Sequence, residues 1–146
     1  MMEKDKGINV FDDIDALLEA SDVTLTVTGT SMWPFFKENK TKVKLAKITE
    51  IKKGKSYLFE FEGRHVIHRL VKIKGEDLIF RGDGNVKRET VKKESLIAEL
   101  VSYKNKKKEI FVTSKKYRFK VFIYRLLPRR IIIKLFKRIK WQTNNF

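Results

Sequence analysis

Cysteine is absent from the sequence, which excludes disulfide bonds and thiolate metal sites. Proline and glycine are scarce, with two and seven positions among 146 residues. Because 42% of the residues are apolar and 11 are phenylalanine, the chain has enough hydrophobic material for one modest core. The composition therefore argues against a disordered chain and predicts a single folded domain.

Long apolar runs are also missing. None approaches the roughly 18 residues that span a bilayer, and the longest runs are only a few residues, such as Ile131–Ile133. Residues 1–10 are polar and lack the apolar core of a signal peptide. The sequence therefore predicts a protein made in the cytosol, with no transmembrane helix and no signal peptide.

Acidic residues are missing from the end of the chain. Residues 115–146 carry 11 of the 34 Lys and Arg and none of the 18 Asp and Glu, within a formal net charge of +16. This asymmetry indicates an anionic partner for the tail rather than for the whole domain.

Hydrophobic periodicity divides the chain into three parts. Residues 1–22 form an acidic segment with a helix predicted over 10–20. Within residues 23–114, apolar and polar residues alternate over 23–28 and 42–45, and further short segments between turn signals have the composition of strands. Strands are predicted over 23–28, 42–45, 57–61, 65–73, 78–81, 96–103 and 109–113. The pattern is typical of a mainly β, mostly antiparallel domain.

Residues 115–146 are predicted to form a basic amphipathic tail of two helices, 115–127 and 129–141, separated by Pro128. In the second helix an apolar stripe consists of Ile132, Leu135, Phe136 and Ile139. We expect residues 115–141 to hold the protein peripherally on an anionic membrane, on its cytoplasmic side. Packing on the β domain or on another copy is the alternative. No motif for specific nucleic-acid binding is present.

A serine follows the first predicted strand in the segment Gly-Thr-Ser-Met-Trp-Pro, residues 29–34. A strand that runs into Gly29, Thr30 and then Ser31 presents a hydroxyl at a tight turn. Backbone N–H groups there can point at a developing oxyanion. A serine in this position can equally be an ordinary turn former.

The two histidines, His65 and His68, both lie in the strand predicted over 65–73. Alternation places His68 on one face with Val66 and Leu70 and places His65 on the other. The pair is therefore unsuited to chelate one metal ion, and no cysteine completes a zinc site. His68 is either a satisfied core residue or a neutral imidazole that accepts a proton near neutral pH.

A third segment, Arg-Gly-Asp-Gly-Asn at residues 81–85, is a strong hairpin-turn signal. Asp83 either serves the turn alone or orients an imidazole, as in a Ser–His–Asp arrangement. The order of Ser31, His68 and Asp83 along the chain makes the catalytic interpretation stronger than any one segment does.

Together, Ser-Met-x-Pro, His-Arg on a strand and Gly-Asp-x-Asn resemble the type I signal peptidase superfamily. The similarity is to its endoplasmic-reticulum, archaeal and sporulating-bacterial branch, where histidine replaces the lysine base, and it covers about Val23 to Tyr103. The resemblance implies a β fold of the signal-peptidase or phage-repressor-peptidase kind, without metal or cofactor. By position it implies Ser31 as nucleophile, His68 as general base and Asp83 as acidic partner.

The same resemblance assigns supporting roles. Glu89 stands where the family often has a second acidic residue and is a possible supporting carboxylate. Gly29 and Thr30 would form the oxyanion turn, and Met32 and Pro34 belong to the serine motif.

The sequence departs from the family at several positions. Phe35–Phe36 replaces the usual Thr-Leu, Asn39–Lys40 replaces a Gly-Asp, and Gly29 replaces a serine that helps to form the oxyanion hole. Backbone donors such as the N–H of Ser31 would then bind the oxyanion. With the N-terminal membrane anchor also absent, these differences argue against ordinary secretory signal-peptide cleavage.

The sequence thus predicts a serine endopeptidase that acts through an acyl-enzyme at a membrane surface. Its expected substrate is a leader-bearing peptide or a membrane-proximal protein. The alternatives are a cytosolic self-processing or repressor-like peptidase and a catalytically inactive binding module of the same fold.

Overall fold

The computed structural model describes residues 14–29, 31–128, 131, 134–135 and 137–138. Within these residues the protein is mainly β, with eight antiparallel strands in one sheet and two α-helices. The helices are α1 (Ile14–Ala20) and α2 (Lys115–Leu126). The strands are β1 (Val23–Thr26), β2 (Lys42–Ala46), β3 (Ser56–Phe61), β4 (Arg64–Lys74), β5 (Asp77–Arg81), β6 (Glu89–Lys92), β7 (Leu96–Asn105) and β8 (Lys108–Phe111). The predicted mainly β class is confirmed.

Strand order across the sheet is β1-β2-β7-β3-β4-β5-β6, and β8 pairs with β7. Strands β3 to β6 follow one another as hairpins, the first turning at Glu62 and Gly63. Both residues have positive φ, 50° and 75°, which a tight two-residue hairpin turn of this hand requires. These hairpins place β4 between β3 and β5, in the interior of the sheet.

Alternation along the strands divides the hydrophobic core in two. Leu58 and Ile67 pack in one cluster with residues of both helices, whereas Tyr57 and Phe59 pack in a second cluster on the other face. Strand β4 therefore contributes buried side chains to both sides of the sheet.

Helix α2 forms where the sequence predicts a helix, and Ser114 caps it by accepting a hydrogen bond from the Tyr117 N–H at 3.2 Å. Tyr117 and Val121 are buried in the cluster that includes Leu58. The first tail helix therefore packs on the β domain, which is the alternative stated above for the tail.

Several predictions fall outside the described residues. These include residues 10–13 of the N-terminal helix and most of the second tail helix, 129–141, whose described members are residues 131, 134–135 and 137–138. Among the described residues, no helix has the length and apolarity that crossing a membrane requires.

Candidate active site

The turn after β1 brings Ser31 to a cleft at the surface. Gly29 has φ +83°, a backbone conformation that residues with a side chain rarely adopt, so glycine suits this turn. Ser31 is half-buried and, with Gly29, forms part of the cleft wall. Thr30, the other predicted oxyanion residue, lies outside the described residues.

A second turn, residues 82–85, is bonded directly to the serine turn. The Gly84 N–H donates to the Ser31 carbonyl oxygen at 2.8 Å, and the Asp83 N–H contacts Met32 Sδ at 3.4 Å. Buried Met32 thus anchors the serine motif, whereas Pro34 is exposed. The two turns form one junction.

Gly82 lies at the centre of this junction. A Cβ atom there would overlap the Ser31 carbonyl oxygen and would come to 3.0 Å from His68 Nε2. Only a residue without a side chain permits so close an approach. Ser31 and His68 are therefore brought against the same glycine, although 36 residues separate them in the chain.

The cleft next to the junction has a volume of about 340 Å³. Of the predicted site residues, it brings together Ser31, His68 and Glu89, the last predicted as a supporting carboxylate. Asp83 is not among the lining residues and is 1% exposed.

A carboxylate lies at the imidazole of His68, and it belongs to Glu89. His68 Nδ1 and Glu89 Oε2 are 3.1 Å apart, and both side chains are buried. Strand register explains the contact, because Leu70 pairs with Phe80 and Phe80 pairs with Glu89. Glu89 therefore lies on the sheet face of Leu70, which His68 shares two residues earlier along β4.

The polar atoms of this pair are only partly satisfied. The Nδ1–Oε2 contact has the distance of an ion pair but not the alignment of a hydrogen bond. His68 Nε2 is buried and has no hydrogen-bond partner among the described residues. A buried polar atom without a partner costs about 1–3 kcal/mol, and Nε2 remains open to a hydrogen bond from a group bound in the cleft.

The Asp83 carboxylate binds a different residue from the predicted one. Its two carboxylate oxygens accept hydrogen bonds from Arg69 Nε at 2.8 Å and from Arg69 Nη2 at 2.7 Å. Adjacent residues on a strand face opposite sides, so the carboxylate that meets Arg69 is on the other side from His68. The carboxylate at the imidazole is thus Glu89, predicted only as a supporting group, and the assignment of that contact to Asp83 is corrected.

The Arg69 side chain is fully engaged. It also donates to the Gly54 carbonyl oxygen at 2.8 Å and to the Tyr117 hydroxyl at 3.1 Å. Burial alone would lower the pKa of Arg69, but the Asp83 carboxylate and Tyr117 hold that pKa above its ordinary value. The pair is a charged structural link between β4, the 82–85 turn and α2.

Helix α2 supports the junction through residues that the sequence did not single out. The Tyr124 hydroxyl donates to the Asp83 carbonyl oxygen at 2.9 Å and contacts the Trp33 carbonyl oxygen at 3.4 Å. With Tyr117, it connects α2 to both turns. The spacing of Tyr117, Val121 and Tyr124 at i, i+4 and i+7 is the sequence signal for this inner face.

His65, which alternation predicts on the opposite face from His68, also lines the cleft. Even so, the described residues contain no cluster of three or more His, Cys, Asp or Glu side chains able to hold a metal ion.

No family model matches the chain, and no curated protein matches it. A hydroxyl, an imidazole with an unpaired nitrogen and a buried carboxylate meet at one cleft, which is an arrangement suited to nucleophilic catalysis.

Proposed function

We propose that this protein is a serine endopeptidase of signal-peptidase type, with Ser31 as nucleophile, His68 as general base and Glu89 as the acidic partner. The observation that carries the proposal is the close approach at Gly82. There the serine turn and the unpaired Nε2 of His68 meet, while a carboxylate lies at Nδ1.

In the proposed first step, the Ser31 hydroxyl attacks the carbonyl carbon of the scissile peptide bond and transfers its proton to His68 Nε2. Glu89 then stabilises the imidazolium through the Nδ1 side. Backbone N–H groups of the turn at Gly29 and Ser31 are the proposed donors to the oxyanion.

Collapse of the tetrahedral intermediate releases the amine product, which takes the proton from Nε2 and leaves an acyl-enzyme on Ser31. A water molecule then gives a proton to Nε2 and attacks the ester. The second collapse releases the acid product and returns the proton to the Ser31 oxygen. Each step uses the same base, so one histidine suffices.

The loose alignment of Glu89 and His68 is compatible with this scheme. Catalytic hydrogen bonds are often long or poorly aligned without substrate and tighten in the reacting complex.

The proposed fold is the signal-peptidase or repressor-peptidase type of β domain, and the proposed substrate is a leader-bearing peptide or a membrane-proximal protein.

A fluorophosphonate probe, which reacts with activated serine hydroxyls, tests the proposal on the full chain. We expect mass spectrometry of digested protein to find the label on Ser31. Ser31→Ala should abolish labelling and His68→Ala should slow it strongly. Ser95→Ala, a substitution outside the cleft, is the matched control and should label like wild type.

Absence of label on the folded wild-type protein, or label on another serine, would remove the nucleophile assignment. The protein would then be better described as a binding module of the same fold. Thermal unfolding of each variant shows whether a lost label reflects chemistry or a lost fold.

A further inference from the structure

The outer face of α2 is apolar although its inner face already packs in the core. Phe119, Phe122, Ile123 and Leu126 follow the spacing i, i+3, i+4 and i+7, and we call them the outer stripe. They are 64%, 58%, 43% and 67% exposed, respectively. Tyr117, Val121 and Tyr124 lie on the opposite side of the helix.

Folding of the described residues does not account for the outer stripe. A surface helix normally places polar residues opposite its packed face. Here four large apolar side chains stand together where water would otherwise contact them, and contiguous exposed apolar patches mark interaction sites. The stripe therefore requires a partner from outside the described part of the fold.

Positive charge borders the stripe on both sides. At 100° per residue, the exposed Arg118 falls along one edge of the outer stripe, and the exposed Lys116 and Lys120 fall along the other. No acidic residue occurs anywhere in residues 115–146. An apolar centre between two cationic borders is complementary to acyl chains below anionic headgroups.

We propose that the outer stripe of α2 docks the protein on an anionic lipid membrane. The helix lies in the plane of the interface, with the four apolar side chains among the upper acyl chains and the bordering cations at the headgroups. Twelve residues of helix extend only about 18 Å, less than the roughly 30 Å of the hydrocarbon core.

Other partners fit these features less well. A second copy of the chain would bring two sets of cationic borders together. A nucleic acid would neutralise the cations but leave the phenylalanines and Leu126 in water. A lipid surface satisfies both the apolar stripe and its charge in one contact.

Docking through α2 has a consequence for the cleft. Tyr117 and Tyr124 on the inner face bond to Arg69 and to the Asp83 backbone, so α2 is fixed to the turns that form the junction with Ser31. A membrane bound to the outer stripe would therefore hold the cleft in one orientation relative to its surface.

Co-sedimentation of the full chain with vesicles tests the docking. Vesicles of phosphatidylcholine with and without phosphatidylserine are the probes, at low and high salt. We expect binding to the anionic vesicles that weakens as salt rises. The double variant Phe119→Ser/Phe122→Ser should lower the partition coefficient at least tenfold, since each phenylalanine buries a large apolar area.

Phe111→Ser is the matched control, because Phe111 is a 47% exposed phenylalanine on β8, outside the stripe. It should bind vesicles like wild type, and all the variants should unfold at temperatures close to that of wild type. Unchanged binding of the Phe119→Ser/Phe122→Ser variant would overturn the proposal and assign the binding to another segment. If the wild-type protein is a dimer that this variant disrupts, the partner of the outer stripe is a second copy and the membrane proposal is wrong. If the protein binds duplex DNA tightly and does not bind vesicles, the partner is a nucleic acid and the membrane proposal is again wrong.

A second inference rests on the proposed function and on a different observation, the charge of the cleft wall. Arg64 and Lys87 line the cleft and are exposed, and neither is paired with a carboxylate of the described residues. Of the described residues that line the cleft, only Glu89 is acidic, and it is buried against His68. We infer that the cleft selects peptides with an acidic side chain near the scissile bond.

Two peptide libraries test this selectivity, identical except that one carries Asp and Glu where the other carries Lys and Arg. We expect the wild-type protein to cleave the acidic library at least tenfold faster, and Lys87→Glu to reduce that ratio. Lys93→Glu, at an exposed position outside the cleft, should keep it. Equal cleavage of both libraries overturns the selectivity alone, whereas cleavage of neither, with no probe label on Ser31, overturns the peptidase itself.

Discussion

Two adjacent residues of β4, His68 and Arg69, each meet a buried carboxylate, and the two pairs differ in how completely their polar atoms are satisfied. Arg69 forms two hydrogen bonds to Asp83 and further bonds to Gly54 and Tyr117. His68 has one unaligned contact with Glu89 and an unpaired Nε2 among the described residues.

This difference suggests that the Arg69–Asp83 pair serves stability, whereas the neighbouring His68–Glu89 pair is available for the proposed chemistry. A buried charge is tolerable when hydrogen bonds and an opposite charge surround it, and such a network resists rearrangement. A buried nitrogen without a partner lowers stability, but it stays available to a group that binds in the cleft. The Arg69 pair therefore holds the junction together, and in the proposed function the His68 pair is the reactive one.

The largest expected effect is on cleavage. Ser31→Ala and His68→Ala should each lower kcat/KM about a thousandfold or more, because the hydroxyl and its base act as one unit. The unfolding free energy should change little in Ser31→Ala, because the half-buried serine is small, whereas His68→Ala removes a buried ring beside Glu89 and should also lower stability. The measurement is the rate of hydrolysis of one peptide from the library that the wild-type protein cleaves, monitored by mass spectrometry.

His65→Ala is the reference for this loss, since His65 lines the same cleft, while the 3.1 Å contact with Glu89 belongs to His68. Its effect should be far smaller than that of His68→Ala. A larger loss in His65→Ala would transfer the base assignment to His65 and break the contrast between the two pairs.

The next largest effect is on stability. Asp83→Asn leaves the Arg69 charge buried without its counter-charge, so we expect the free energy of unfolding to fall by about 3–5 kcal/mol. Urea denaturation at neutral pH measures this change. A stable Asp83→Asn variant that has lost cleavage would instead return Asp83 to the catalytic role that the sequence indicated.

Glu89→Gln should show the opposite balance. We expect a loss of roughly a hundredfold in cleavage rate, since the amide cannot stabilise the imidazolium, with a smaller change in stability than Asp83→Asn. The cleavage rate and the free energy of unfolding are both measured on Glu89→Gln and on Asp83→Asn. The comparison fails if the Glu89 variant unfolds more easily than the Asp83 variant while cleaving at the wild-type rate.

The sequence predicted seven of the eight strands, β1 and β2 from a clear alternation of apolar and polar residues and the others from short segments of strand-like composition between turn signals. It missed β6, whose Glu89, Thr90, Val91 and Lys92 include one apolar residue and give no clear period of two. The acidic partner of His68 lies on that strand. The order of motifs along the chain nominated Asp83, but only the register between β4, β5 and β6 shows which carboxylate reaches the imidazole.

Helix α2 was predicted as a helix, but its position was not. Its basic composition indicated a separate tail, whereas Tyr117 and Val121 complete the core. A helix with apolar residues on both faces has no single stripe, so periodicity alone does not distinguish a packed face from a docking face.

A smaller effect should follow from Tyr117→Phe, which removes the hydroxyl that accepts from Arg69 at 3.1 Å. We expect the free energy of unfolding to fall by about 1–2 kcal/mol at neutral pH, with cleavage nearly unchanged. Urea denaturation and peptide hydrolysis on the same preparation check both parts. A large loss of cleavage with unchanged stability would show that the Arg69 network also serves chemistry.

The smallest expected effect is a change in the free energy of unfolding at alkaline pH. It involves two buried tyrosines, Tyr117 of the Arg69 network and Tyr57. Burial raises the pKa of Tyr117, and burial raises the pKa of Tyr57 to about 12, against an ordinary value near 10 in an unfolded chain. Above pH 10 the unfolded chain releases these phenolic protons while the folded protein keeps them. The unfolded state then binds fewer protons, so the free energy of unfolding should fall as pH rises, with the share of Tyr57 ending near pH 12. Urea denaturation at a series of pH values should show a shallower fall for Tyr117→Phe and Tyr57→Phe, and an unchanged fall for Ser31→Ala. An unchanged slope in Tyr117→Phe would mean that burial does not hold the Tyr117 hydroxyl in its protonated form.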